Sequence, residues 1–349
     1  MKRNYSIDAV KFVFSVIIVL YHLFHNNMQR CIGHTQIFKD IKPDMVCCGY
    51  IVECFLIIAG YYIYKSAIRE NTSSIKNFVV ARFVRLWPVY AFHLACICFW
   101  IGFKWEDVIL NSSLLLCTGV STEYRGIIWY IPPFFWCSIL LFSILRLFEL
   151  RRALLLVAAL TYMAYVILIN RPAGLDSRQV AYSCVSLGML RVLGGLGIGV
   201  ILGSIRDTFT LDMNHRTLRF VFLSVVELTC AFLLFRAFLA GKIFSNVMCY
   251  NIIFAIWFMC MLSGGGLVSR FLSVPIFAKL GKYCYSIYVM QQIGFWILRD
   301  TVWCNKELME VHTGIMIGAS VVFTVFLGIL TYHLIEQPCI NLHKRFFLK

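Results

Sequence analysis

The sequence predicts an all-α, polytopic membrane protein: a bundle of about ten transmembrane helices in one integral-membrane domain, 1–349. Three observations predict it. Hydrophobic residues make up 60% of the chain and charged residues only 14%, against roughly 50% and 25% in an ordinary soluble domain. The mean hydropathy is +0.80. The apolar residues also gather into runs long enough to cross the hydrocarbon layer as helices. They lie at about 8–24, 46–64, 86–103, 127–147, 153–169, 181–204, 217–239, 244–264, 282–298 and 313–335. The stretch 104–126, with Lys104, Glu106, Asp107, Glu123 and Arg125, is too polar to span and reads as an interfacial segment or a loop folded back. No linker separates a second domain, and no internal repeat is evident.

Charge gives the orientation. The net charge of +15 would suggest nucleic acid in a soluble chain. In a membrane protein it reflects basic cytoplasmic loops, and no nucleic-acid partner is expected. With the N-terminus inside, nineteen Lys and Arg fall in inner loops and tails, eleven in outer loops and two within spans, which accounts for all 32. Both termini are therefore expected in the cytoplasm of a multi-pass cell-membrane protein. The first apolar run carries charge and meets no small-residue cleavage site, so it reads as a span rather than a cleaved leader. Most of the fifteen cysteines lie in apolar runs, where Cys packs as a small hydrophobe. Cys31, Cys47 and Cys48 lie near a predicted outer loop and are disulfide candidates. No paired CxxC spacing appears, and no metal is expected.

The first span carries the polar residues that matter. Asp8, Lys11, Ser15 and His22 are spaced by three, four and seven positions, on one helical face. Lys11 and His22 point the same way, about 16 Å apart along the axis. Charged groups inside a membrane normally face a bundle interior or a wet cavity and mark a functional path. A histidine near a span end is more often satisfied by water or a carbonyl. Here the shared stripe with Asp8 and Lys11 shifts the reading toward a base, since a free imidazole titrates at about pH 6.5. Glu53, in the second span, lies at a similar depth and is a candidate orienter of His22; the plainer reading is a structural hydrogen bond. Arg82 and Arg85, three apart before the third span, suit a phosphate-bearing ligand. Spacing alone favours lipid-headgroup anchoring for them.

Further along, Trp129 and Tyr130 precede Pro132 and Pro133. The prolines break helical hydrogen bonding, which a membrane tolerates only against protein or a cavity. The aromatic pair equally suits an interfacial belt. Arg191 and Glu227 are a candidate buried pair, while His93, His333 and Glu336 are further intramembrane polar groups. The glycines after Arg191 read as close helix packing. Tyr285, Tyr288 and Gln291 lie along the ninth span and are candidate cavity residues with Asp8.

Taken together, several stretches resemble the integral-membrane acyltransferase-3 family. Lys11 and His22 resemble its opening basic residue eleven positions before a histidine, with Lys where Arg is usual. VECFLIIAGYYI (52–63) is similar to its acidic-apolar segment through Glu53, Phe55 and Gly60, with Ala59 in place of Ser. ARFVRLWPVY (81–90) resembles Arg-x-x-Arg-x-x-Pro through Arg82, Arg85 and Pro88, and IIWYIPPFF resembles its Trp-Tyr/Phe-Leu stretch. LGKYCYSIYVMQ (280–291) resembles the late helix, with Gln291 where His is common. HLIEQP (333–338) resembles the closing Ile-Glu-x-Pro. These matches keep the family's order.

The resemblance implies a membrane O-acyltransferase. Its donor is acetyl-CoA or another acyl-CoA from the cytoplasm, and its acceptor a surface polysaccharide or lipid-linked glycan. Arg82 and Arg85 then hold the CoA phosphates, with Lys11 assisting. His22 deprotonates the acceptor hydroxyl or carries the acyl group, and Glu53 orients it. Gln291 cannot be a base, and the sequence names no oxyanion donor. The rival class is an exporter of sugar or lipid-linked glycan, which calls for paired broken helices in two repeated halves.

Overall fold

A computed structural model describes residues 4–24, 45–69, 74–101, 105–120, 127–171, 180–181, 185–208, 215–241, 243–244, 248–303, 305 and 312–347. Helix α1 (Tyr5–His22) precedes a 3₁₀ turn (Met45–Tyr50) that runs into α2 (Ile51–Ala67). Then come α3 (Ile75–Ile101), the short α4 (Trp105–Ser112), α5 (Ile131–Leu147) and α6 (Leu150–Ile169). Strands β1 (Val180–Ala181) and β2 (Val185–Ser186) pair antiparallel before α7 (Leu187–Thr208) and α8 (Arg216–Ala240). Next are α9 (Met248–Ser263), the six-residue helices α10 (Leu267–Leu272) and α11 (Pro275–Leu280), and α12 (Cys284–Thr301). The last are α13 (Thr313–Thr331), a π-helical segment (Tyr332–Glu336) and α14 (Gln337–Phe347). The chain divides into two compact units, Met1–Val52 with Leu211–Tyr332 and Glu53–Thr210 with His333–Lys349.

Seven helices among the described residues are long and apolar enough to cross a membrane: α1, α2, α3, α6, α7, α8 and the run Thr313–Arg345. Helices α5 and α9 are shorter apolar helices, and α12 carries Gln291, Gln292, Arg299 and Asp300. Helix directions make these three candidate crossings as well. In the second unit α2 and α7 run parallel, because Glu53 pairs with Arg191, Gly60 meets Leu196 and Gly199, and Lys65 pairs with Asp207. Parallel spans need an odd number of crossings between them. Helices α3 and α6 provide two, so α5 is the third. In the first unit α12 runs parallel to α1, from Gly281 against Asp8 to Gln291 against His22. The six crossings of α2, α3, α5, α6, α7 and α8 then require α9 as a seventh. With α13, ten of the described helices are candidate crossings.

The first unit packs α1 against α8 and α9 through one aromatic side chain. Phe14 is fully buried, with its ring centroid 5.8–6.3 Å from those of Phe235, Phe238, Phe254 and Trp257. Each such pair contributes about 0.5–1.5 kcal/mol beyond area burial. Asn4 caps α1 by accepting from Ile7 N–H and donates its own amide to the Met261 carbonyl 3.1 Å away. After α9, Gly264 adopts φ +63°, the left-handed conformation that ends helices. Helix α10 is then capped from α8: Leu267 N–H donates to Ser224 Oγ (3.0 Å) and Ser269 N–H to Glu227 Oε2 (2.9 Å). A Cβ on Gly266 would run into the Glu227 carboxylate. In the second unit, Cβ atoms on Gly60 or Gly199 would collide with backbone of the facing helix.

Several boundaries differ from expectation, each for a local reason. Helix α3 begins at Ile75 rather than near 86, with Pro88 inside it, so Arg82 and Arg85 lie on a continuous helix and not in a loop. Pro132 and Pro133 stand in the first turn of α5. Amide donors there have no intrahelical partner, so proline costs nothing. The prolines start a helix rather than break one. Part of the polar stretch after α3 folds back as a loop. Trp87 Nε1 donates to the Ser112 carbonyl (3.0 Å) and Trp136 Nε1 to the Leu114 carbonyl (2.8 Å). Lys104, Glu123 and Arg125 lie outside the described residues, as does Cys31. Cys47 and Cys48 are buried, Cys47 Sγ 3.8 Å from the Tyr250 hydroxyl and Cys48 Sγ 2.8 Å from the Phe238 carbonyl.

Candidate active site

All four polar positions of the α1 stripe address the segment 281–291. Lys11 Nζ lies 2.6 Å from Asp8 Oδ1, an ion pair one turn into the helix. Gly281 sits directly on Asp8, where a Cβ would strike the Asp8 carbonyl. Ser15 Oγ donates to the Lys11 carbonyl at 2.9 Å, and Cys284 lies beside Lys11 and Ser15. Two turns on, His22 Nδ1 meets Gln291 Oε1 at 3.1 Å. The imidazole packs on the Tyr21 ring (5.1 Å between centroids) and edge-on to Tyr288 (6.3 Å). His22 is 9% exposed, Gln291 is fully buried and Tyr288 is buried. Tyr285, one turn earlier on α12, is half-buried.

An amide oxygen only accepts, so the tautomer that satisfies this contact carries its proton on His22 Nδ1, which donates to Gln291 Oε1. In the neutral ring Nε2 then carries the lone pair. The other end of the same amide, Gln291 Nε2, is buried and has no hydrogen-bond partner among the described residues. The sequence placed Gln291 in the cavity but assigned it no chemistry. Its signal was there: residue 291 is the one carboxamide on α12 that lines up with His22 once α1 and α12 run parallel.

Glu53 belongs to the second unit, whereas His22 belongs to the first. Within its own unit the Glu53 carboxylate accepts from Arg191 Nε at 2.6 Å and from Nη2 at 2.9 Å, a two-pronged pair with both side chains buried. The expected partnership of Arg191 with Glu227 is therefore replaced. Arg191 pairs with Glu53, and Glu227 is held by Ser269. Coulombic attraction in a low-dielectric interior makes this fork strong, and the bidentate geometry offsets much of the desolvation cost. Trp129 covers the pair, its ring 5.4 Å from Arg191 Cζ, and is itself pressed against Gly188. Tyr130 stands edge-on to Trp129 at 6.2 Å. Trp129 thus packs on a buried charge.

On α3, Arg82 stacks between the rings of Phe78 (5.1 Å) and Phe134 (5.3 Å). Arg85 is more exposed, its side chain 55% accessible, with Nε 4.0 Å from Glu336 Oε1 in the π-helical segment. The aromatic faces fix Arg82, while Arg85 keeps most of its guanidinium open to an anion. No cluster of three metal-ligating side chains occurs among the described residues.

No curated protein and no solved structure matches the chain. The family model described as an acyltransferase domain, acyltransferase-3, matches residues 4–333. That match spans nearly the whole chain, so the protein belongs to the acyltransferase-3 family and is a membrane-embedded acyltransferase.

Proposed function

We propose that this acyltransferase moves an acetyl group from cytoplasmic acetyl-CoA to a hydroxyl of a cell-envelope or capsular carbohydrate, or of its lipid-linked precursor. The observation that carries the reading is the buried His22–Gln291 contact, which leaves imidazole Nε2 as a base. In this reaction the acceptor hydroxyl oxygen attacks the thioester carbonyl carbon while His22 Nε2 takes its proton. A tetrahedral oxyanion forms and collapses, breaking the carbon–sulfur bond. The CoA thiolate leaves and recovers the proton from the imidazolium, giving the ester and CoA thiol. Exclusion of water matters, because a thioester beside a base otherwise hydrolyses. The burial of His22, Tyr288 and Gln291 supports that.

Arg82 and Arg85 take the phosphates of the donor in this proposal, with Lys11 adding positive charge. The open guanidinium of Arg85 supports its share. Glu53 acts through its fork with Arg191. The protein works in the cell membrane with both termini in the cytoplasm, on the side that supplies acyl-CoA.

Isotope-labelled acetyl-CoA, supplied to membranes containing the protein together with surface carbohydrate from the producing cells, tests the reading. Label is expected on carbohydrate, is lost with His22→Ala, and requires much more acetyl-CoA with Arg82→Ala/Arg85→Ala. Full transfer by His22→Ala makes the histidine structural and sinks the mechanism. If acetyl does not move, succinyl-CoA is the next donor to try.

A further inference from the structure

We infer that Gln291 is a two-ended catalytic amide: its oxygen holds the proton on His22 Nδ1, and its NH₂ group donates to the acyl oxygen as negative charge develops there. The inference rests on the proposed reaction and deepens it, since that reaction needs an oxyanion donor and the sequence names none.

Three observations carry it. Gln291 Oε1 lies 3.1 Å from His22 Nδ1, so the amide is already committed at one end to the base. Gln291 is fully buried, and its Nε2 has no hydrogen-bond partner among the described residues. A buried amide donor left unmade costs about 1–3 kcal/mol. This one is shielded from bulk water as well. The third observation is the surroundings: Tyr288 and Tyr21 wall the imidazole with rings, a setting of low dielectric in which a hydrogen bond to an anion is strong. A donor fixed in place before the reaction, dry, and on the same side chain that orients the base is what stabilises a tetrahedral oxyanion at least reorganisation cost. The oxygen it serves starts as the thioester carbonyl, becomes the oxyanion when the acceptor oxygen bonds to carbon, and ends as the ester carbonyl when CoA departs. No proton passes through the amide; only hydrogen bonding changes.

The same geometry makes a specificity statement. A carboxylate at 291 keeps the acceptor for Nδ1–H and loses the donor, so the two ends are separable by single substitutions. Gln291→Glu retains orientation and strengthens the imidazolium. Gln291→Met, of similar volume, removes both ends.

The experiment uses the full-length protein in lipid nanodiscs. Acetyl transfer from labelled acetyl-CoA to the surface carbohydrate is measured as kcat and KM across pH. Nitrogen-15 histidine spectra report which ring nitrogen of His22 carries the proton, assigned by difference against His22→Ala. The unmodified protein is expected to show Nδ1 protonated. Gln291→Glu is expected to keep that tautomer, to lose about 10²–10³-fold in kcat as oxyanion-donor removal does, to hold its KM for acetyl-CoA, and to raise the acid limb of the pH profile. Gln291→Met is expected to lose at least as much activity together with the tautomer preference. Gln291→Glu at full kcat overturns the donor role, and an unchanged His22 tautomer in Gln291→Met overturns the acceptor role. Should Gln291→Glu melt early, the uncharged Gln291→Met carries the kinetic arm, and its full activity overturns both roles. Absence of acyl transfer by the unmodified protein with acetyl- and succinyl-CoA defeats the proposed reaction and the donor role with it. The spectra then decide the acceptor role alone, so the two failures are told apart.

Discussion

Arg191 shows what one buried side chain commits. Its guanidinium is forked onto Glu53 inside the second unit, both groups out of reach of water. Arg191→Met leaves an uncompensated carboxylate and is expected to cost about 3–5 kcal/mol. Glu53→Met/Arg191→Met removes both charges and is expected to regain most of that loss, read by unfolding in detergent. A double variant no more stable than Arg191→Met alone would mean that the pair holds the fold by something other than charge. If the double variant folds but no longer transfers acyl groups, Glu53 has a part in the chemistry as well. The sequence made the α1 stripe legible because Asp8, Lys11 and His22 sit on one helix, where spacing alone sets direction. The partners were not legible. Gln291 is 269 positions from His22 and Arg191 is 138 from Glu53, and charge counts cannot decide which carboxylate an arginine meets.

Helix α7 is tied to α2 by shape as well as by the Glu53–Arg191 fork. Gly60 and Gly199 let the two backbones touch, with Tyr64 lying on Gly203 one turn further. Gly199→Ala is therefore expected to lower the unfolding temperature clearly, because the obstacle is backbone and cannot rotate away. Gly318→Ala on α13, where nothing lies within 4 Å, is expected to be neutral or stabilising by up to about 1 kcal/mol. Equal effects from both would contradict the close crossing. The α10 cap gives a second element-scale expectation. Glu227→Ala orphans the Ser269 amide and is expected to cost about 1–3 kcal/mol, seen as early melting with Ser224→Ala milder. The glycine run after Arg191 announced close packing correctly, since small residues have little other use inside a membrane helix. Proline was misleading for an equally physical reason. A Pro-Pro pair reads as a break in mid-span but as a start at a helix N-terminus, and only the position of the first helical residue tells the two apart.

At the scale of the whole molecule, an even number of crossings puts both ends of the chain on one side of the membrane, and the excess of Lys and Arg in alternate loops is why we propose that this side is the cytoplasm. A C-terminal fluorescent-protein fusion is expected to glow and a C-terminal alkaline phosphatase fusion to stay silent. The opposite result reverses the orientation and with it the side from which the donor arrives. Hydropathy marks ten apolar runs, yet among the described residues seven helices qualify on length and polarity alone. The three others are short or polar: α5 and α9 have 17 and 16 residues, and α12 carries the residues that face α1. A span that lines a site is poor in the very apolar residues by which spans are recognised.

The fork between Glu53 and Arg191 also has a clock. The two residues are 138 positions apart. At ordinary rates of synthesis, about 5–20 residues per second, Arg191 emerges roughly 7–28 s after Glu53. For that interval α2 is already made, with a carboxylate near its start and a notch at Gly60 that nothing fills. Glu53 must wait without Arg191, and the second unit cannot close until α7 is inserted. Truncated chains that stop before α7 are thus the ones a membrane quality-control protease should find first.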